Sequence, residues 1–243
     1  MSTTRTTLRT MLRAALLDTN APLLWSDTAL DGAIDEAVTA HSYQFPCPVA
    51  ARYSLGPGQQ VVNVVPTDPA LPEDVPVPVG TINCDVIGVQ RAELPVGTPL
   101  PPDPGQSTDP AASGSARYRQ GYRWRGHTLV LHNPASGDEV GSYTLRVEYL
   151  QTYNIPLDTP ITIAWNGPDS DVPLLLLLAK RAAYQLLAEW QIRTQGASPP
   201  TLASGSSLAH IAVPPILAAL EVEIARALAF RRLRSLRSRA LDI

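Results

Sequence analysis

Asp171-Val172-Pro173-Leu174-Leu175-Leu176-Leu177-Leu178-Ala179-Lys180-Arg181-Ala182-Ala183-Tyr184-Gln185-Leu186-Leu187-Ala188-Glu189-Trp190 carries the clearest periodicity in the chain. Leu175, Leu178/Ala179, Ala182, Leu186 and Trp190 recur at helical spacing, and Arg181, Gln185, Glu189 and Arg193 form an opposing polar set. Asp169, Ser170 or Asp171 supplies a cap, and Pro173 is tolerated in a first turn because its missing N–H would have no helical partner there. Asn166-Gly167-Pro168 precedes the helix as a turn, and Gly196 with Pro199-Pro200 ends it. The most apolar run, Leu174 to Ala179, is far too short to cross a bilayer, so no membrane association is expected.

Towards the C-terminus, a Ser/Gly-rich connector leads to Pro214-Pro215 and a last helix with Ile216/Leu217, Leu220, Ile224, Leu228 and Leu236 as its apolar members. The two prolines mark either its start or a kink in a longer helix that begins near Leu208. Towards the N-terminus the period changes from helical to two. Gln60 to Val65, Thr81 to Val89, Thr128 to His132 and Tyr143 to Tyr149 are rich in Val, Ile, Thr and Tyr. In the last of these, Tyr143, Leu145, Val147 and Tyr149 alternate with Thr144, Arg146 and Glu148, the pattern of a half-buried strand. Gly56-Pro57-Gly58, Asp68-Pro69, Asn133-Pro134 and Ser136-Gly137-Asp138 are turn chemistry between the strands. Pro95 to Ser115 holds six prolines and little to bury, which predicts a long exposed loop.

Two helices precede this middle. Thr6 to Leu17 is a short amphipathic helix with Leu8, Leu12 and Ala15/Leu16 on one face. The second is capped by Ser26, carries Asp27 and Asp31 towards its positive end, aligns Leu30, Ile34, Ala37/Val38 and His41, and is stopped by Pro46 and Pro48. The expected fold class is therefore α+β: a helical bundle core of about four helices with a β-rich insertion between the second and third. Residues 1–46 and 169–243 are expected to pack as one helical domain and residues 47–168 to form the insertion, the whole making one α+β domain rather than two independent folds.

Chemistry is conspicuous by its gaps. With 243 residues, 44% hydrophobic and 17% charged, the chain is globular but poor in solvated charge, which leaves surface for a protein partner. No phosphate loop, His-Glu-x-x-His, Gly-x-Ser-x-Gly or dinucleotide fingerprint occurs. Lys180, the single lysine, lies within a periodic helix, and an odd separation puts His127 and His132 on opposite faces of a regular strand. His41, His127, His132 and His210 are widely separated, and Cys47 and Cys84 have no partner at metal spacing, so they are expected as reduced thiols. Arg5, Arg9 and Arg13 interrupt the N-terminus, where no signal peptide is expected. The chain is thus expected to be a structural protein, not an enzyme, with no cofactor and no metal. A hydrolase with an unfamiliar site, using His127 or His132, is the alternative from another class.

Two stretches invite a partner. Arg117 to Arg125 interleaves arginines with aromatics and reads as an edge strand with Tyr118, Gln120, Tyr122 and Trp124 on one face, as a subunit interface through Tyr118, Tyr122 and Trp124, or as a nucleotide-stacking surface. The formal net charge of −3 hides a basic C-terminus, where Arg226, Arg231, Arg232, Arg234, Arg237 and Arg239 alternate with Leu228, Phe230, Leu233 and Leu236. That set reads as an amphipathic helix docking on an acidic partner, as a solvated helix end, or as a face towards nucleic acid.

The order of elements resembles a known family. The phrase Leu24-Trp25-Ser26-Asp27-x-x-Leu30-x-x-x-Ile34-x-x-Ala37, ending near Tyr43 and Pro46, looks like the opening of the head-to-tail adaptor (connector) proteins of long-tailed bacteriophages. Leu129-Val130-Leu131-x-x-Pro134-x-x-Gly137 followed by Leu145-Arg146-Val147-Glu148-Tyr149 resembles their β element, and Leu174 to Trp190 resembles the helix that follows. The resemblance implies a homo-oligomeric ring, usually of twelve copies, beneath the portal at the head-tail junction of the virion, assembled in the host cytoplasm. It implies the phage portal protein and a downstream tail or neck protein as partners, with passing contact with genomic DNA in the channel. Family members often grip the portal with a chain terminus, so Arg226 to Arg239 is the candidate here. The large middle departs from the smallest members, which leaves another neck or tail-completion component as the alternative.

Overall fold

Helix α3, Val172–Thr194, contacts each of the other three helices, and its sequence reflects that position. Leu174, Leu175, Leu178, Ala179, Ala182, Ala183 and Leu187 are all buried, an arc wider than one stripe because neighbours flank the helix on more than one side. The apolar stripe consequently runs through Leu187, fully buried, and leaves the expected Leu186 41% exposed. Each fully buried leucine contributes about 2 kcal/mol of transfer free energy.

The computed structural model describes residues 3–19, 23–67, 73, 84–94, 99–100, 121–132, 143–158, 164–194 and 212–241, the side chains of Tyr143, Thr194 and residues 233–241 excepted. The fold is α+β, with a β-rich insertion between its second and third helices. The chain divides into two compact units, Met1–Gln44 with Tyr153–Ile243, and Phe45–Thr152. The described residues of 153–168, placed with the insertion by sequence, cluster with the helical unit.

In the helical unit, α1 spans Arg5–Ala15 and is capped by the Thr4 hydroxyl, which accepts from the Thr7 N–H at 3.3 Å. It ends in a reverse turn in which Leu17 adopts a φ of 58° while the Leu17 and Asp18 amides donate to the Ala14 and Arg13 carbonyls, a Schellman arrangement usually built on glycine. Helix α2, Asp27–Gln44, begins as the sequence predicts, with Ser26 Oγ accepting from the Ala29 amide at 3.2 Å. A short 3-10 turn, Asp169–Asp171, leads into α3. Helix α4 spans Val213–Leu241, so Pro214 and Pro215 lie in its first turn and mark its start rather than a kink. Its contact face is Val213, Leu220 and Ile224, buried, with Ile216, Leu217, Leu228 and Arg231 half-buried.

The other unit holds two antiparallel sheets. Strands β1 (Cys47–Leu55), β7 (Tyr143–Gln151), β3 (Val86–Glu93) and β4 (Pro99–Leu100) form one in the spatial order β1-β7-β3-β4. Strands β2 (Val61–Asn63), β6 (Thr128–Leu131) and β5 (Tyr122–Arg125) form the second in the order β2-β6-β5. β7 is central, and its alternation is as expected: Leu145, Val147 and Tyr149 are fully buried, while Arg146 and Glu148 take the other face. β1 is missing from the sequence expectation because Pro46 and Pro48 argue against a strand. It forms because it is an outer strand, where a missing amide need not break a ladder. β3 starts five residues later than the Thr81 boundary, with residues 81–83 outside those described. Within the expected exposed loop Pro95 to Ser115, Pro99 and Leu100 instead pair with Glu93 and Ala92, and Leu100 is buried; the rest of that loop lies outside the described residues.

Candidate functional site

The basic end of α4 is divided by the fold into residues with different duties. Arg226 is exposed, Leu228 is half-buried, and Phe230 is 70% exposed. Arg232 is exposed. Leu233, Arg234, Leu236, Arg237 and Arg239 continue the same helix, and their side chains lie outside the described residues. Arg231 is committed inward and, half-buried, is not among the exposed residues of α4. Its Nε donates to Asp171 Oδ2 at 3.0 Å and lies 2.8 Å from Oδ1. Asp171 is essentially inaccessible to solvent, so the pair is a buried anion met by a cation that reaches in from α4.

The same carboxylate meets His41. His41 Nε2 lies 3.2 Å from Asp171 Oδ2, and because a carboxylate can only accept, the imidazole carries its proton on Nε2. Tyr153 and Trp165 close around the ring, with centroids 5.4 and 5.3 Å from that of His41. Burial holds the imidazole below its ordinary pKa; Asp171 pulls the other way, and the Arg231 charge adds to the lowering. Trp165 is itself pinned by the backbone of Gly167, where an added Cβ would stand 2.1 Å from the indole. The turn Asn166-Gly167-Pro168, legible in the sequence, thus positions an aromatic wall that was not.

A second ionic array ties α1 to α2. Arg9 donates to both Asp31 oxygens at 2.9 Å, Arg5 pairs with Asp35, and Arg13 pairs with Asp27 and with buried Asp18. Arginines every fourth residue on one helix face aspartates every fourth residue on the next, in antiparallel order. Asp18 also accepts from the Leu24 and Trp25 amides at 2.6 and 3.1 Å, fixing the turn between the helices. The hydrogen bond from Arg13 lowers the Asp27 pKa, whereas desolvation outweighs Arg5 and raises that of Asp35.

In the β unit, Glu73 receives Arg146 through two 3.0 Å bonds and Arg52 through one of 3.1 Å, joining β7 to β1 on the sheet's charged face. Those bonds hold the Glu73 carboxyl below the ordinary range. Glu93 and Glu148 extend the network through Arg146, and Arg91 meets Glu93 at 2.7 Å. Positive and negative groups satisfy each other here, which leaves a rigid face rather than a charged one.

The candidates Tyr118, Tyr122 and Trp124 separate. Tyr122 is 4% exposed and belongs to the core of its own unit, Trp124 is half-buried, and Tyr118 lies outside the described residues. His127 stands in the two-residue turn between β5 and β6, beside Gly126 at a φ of 57°, and His132 follows β6; both are exposed, and neither occupies the strand. Lys180 is half-buried on α3. Among the described residues, no three His, Cys, Asp or Glu side chains are grouped to hold a metal ion, and no helix is long and apolar enough to cross a membrane. The chain matches no protein-family model and no curated protein.

Proposed function

We propose that the chain is a structural head-to-tail adaptor of a tailed bacteriophage, without turnover, which forms a ring under the portal, joins the DNA-filled head to the tail and lines the genome channel. The observation that carries this proposal is α4, a helix of 29 residues whose apolar stripe is used in its first half and whose second half exposes Phe230 and Arg232 and continues through an arginine-rich sequence. Arginine pairs bidentately with carboxylates and suits a protein interface, and an exposed aromatic supplies the apolar anchor such an interface needs. The helix pair, β insertion and helix pair that the family resemblance implies add support.

The C-terminal arginines serve the portal more than the genome, because each phosphate contact retains DNA and a conduit must let it slide. The test truncates the chain after Arg232, which removes Leu233 to Ile243, the distal arginines among them, but keeps Arg231 on Asp171, and combines this with Phe230→Ala. Portal association should fall at least tenfold while the helical unit stays folded. Unchanged portal association with loss of salt-sensitive DNA binding would replace the gripping helix with a DNA-facing one, and a symmetry-resolved image of the virion neck lacking this chain would overturn the adaptor assignment.

A further inference from the structure

We infer that Arg231, Asp171 and His41 form a proton-coupled latch that seats α4 on the helical unit at neutral pH and loosens it in acid. This does not depend on what α4 grips. Asp171 is a buried carboxylate that needs a cation beside it, and two side chains can supply one. Arg231 does so from α4, through an Nε hydrogen bond to Oδ2 and a 2.8 Å ion pair with Oδ1. His41 does so from α2, but only if its imidazole takes up a second proton.

The two sources exclude each other by charge. With Arg231 in place the anion is already compensated, and a second positive charge on a fully buried ring would face both desolvation and the guanidinium. When α4 lifts, Arg231 leaves with it, and Asp171 remains beside the ring. The imidazolium then becomes the natural partner of the carboxylate. Among the described residues, Asp171 from the 3-10 turn and Arg231 from α4 act on His41 by charge, while the loop between the insertion and α3 contributes the neutral rings of Tyr153 and Trp165.

The sign follows from which state binds the proton. The seated state holds the imidazole pKa down and the lifted state, left with Asp171 alone, raises it, so lowering the pH through the lifted-state value, at or above about 6.5, favours lifting, by at most about tenfold per pH unit for one proton. Above that pH both states are neutral and seating is at its strongest. Arg231 sits ten residues before the end of α4 at Leu241.

The experiment is hydrogen exchange of α4 amides in the full chain from pH 8 to pH 5, corrected for intrinsic exchange and referenced to the buried amides of α3, with the His41 imidazole titrated by NMR. In the unmodified chain, the opening equilibrium of α4 should rise several-fold between pH 7 and pH 5.5. His41→Gln keeps a donor for Asp171 but cannot gain a proton, and should remove the pH dependence; Arg231→Gln should raise the His41 titration midpoint and open α4 across the range, with Arg231→Lys restoring part of the seating. A flat α4 opening in the unmodified chain overturns the latch with no variant needed. So does a pH slope that survives His41→Gln, or a His41 midpoint unmoved by Arg231→Gln.

Discussion

Gly167 shows how a single position can decide the surroundings of a buried histidine. Its backbone lies against the Trp165 indole so closely that a methyl group would stand 2.1 Å from a ring carbon. Gly167→Ala must therefore push Trp165 away from His41, and overpacking of this kind costs about 1–3 kcal/mol. Chemical denaturation followed by tryptophan emission should show that loss in the helical transition, and unchanged stability would mean that the indole relocates freely. Asn166-Gly167-Pro168 is legible as a turn because its chemistry is local. The need for glycine at its centre is not, because the obstacle is a neighbouring ring in its folded position. Leu17 is the converse case: a residue with no turn signature occupies a left-handed cap position because the Arg13 and Ala14 carbonyls require donors there.

Two elements are joined by charge in ways that can be tested separately. Between α1 and α2, the Arg9–Asp31 pair is bidentate and partly shielded, so its coupling should exceed that of an ordinary surface pair. Arg9→Asp alone should destabilise the helical unit by about 1–2 kcal/mol, and adding Asp31→Arg should recover about half of that, as read from a double-mutant cycle in low salt. In the β unit, Glu73 fastens β7 to β1 through Arg146 and Arg52, and its carboxyl is held below the ordinary range. A depressed carboxyl contributes stability that is present above its unfolded value, about pH 4.3, and is lost as the pH falls through the folded one. The β unit should thus weaken below about pH 4.3, and Glu73→Gln should lower its stability at pH 7 while flattening that acid dependence. An acid profile identical in the variant would show that other carboxylates carry it.

At the scale of the whole molecule, the chain leaves the helical unit and returns to it at neighbouring points. The Tyr153 amide donates to Ser42 Oγ at 3.0 Å within the helical unit, and Cys47 is registered opposite Gln151 within the β unit. Each unit therefore closes on itself where the chain is interrupted, which is the arrangement that tolerates excision. Replacing residues 46–151 with a short Gly/Ser linker should leave a cooperatively folding helical unit with protected α2 and α3 amides. Exchange at the unfolded rate throughout α3 would show that the helices depend on the insertion. The same arrangement suits an assembly protein in which one unit is anchored and the other is elaborated.

The sequence by itself determined the α+β class, the four helices and the place of the insertion, because apolar period and capping chemistry act over a few residues. Ser26, the alternation of Tyr143 to Tyr149 and the leucine run of α3 needed no partner to be understood. Only the tertiary structure decided that Arg231 faces inward to Asp171, that Arg5, Arg9 and Arg13 match Asp35, Asp31 and Asp27, and that Tyr122 is spent in a core. The four-residue spacing of those arginines and aspartates is written in the sequence, but the antiparallel turn that brings them together is set by Asp18 and the packing of Leu8 and Leu12. A charge has no direction of its own along a chain; what it does depends on which distant residue the fold sets beside it and how little water is left between them.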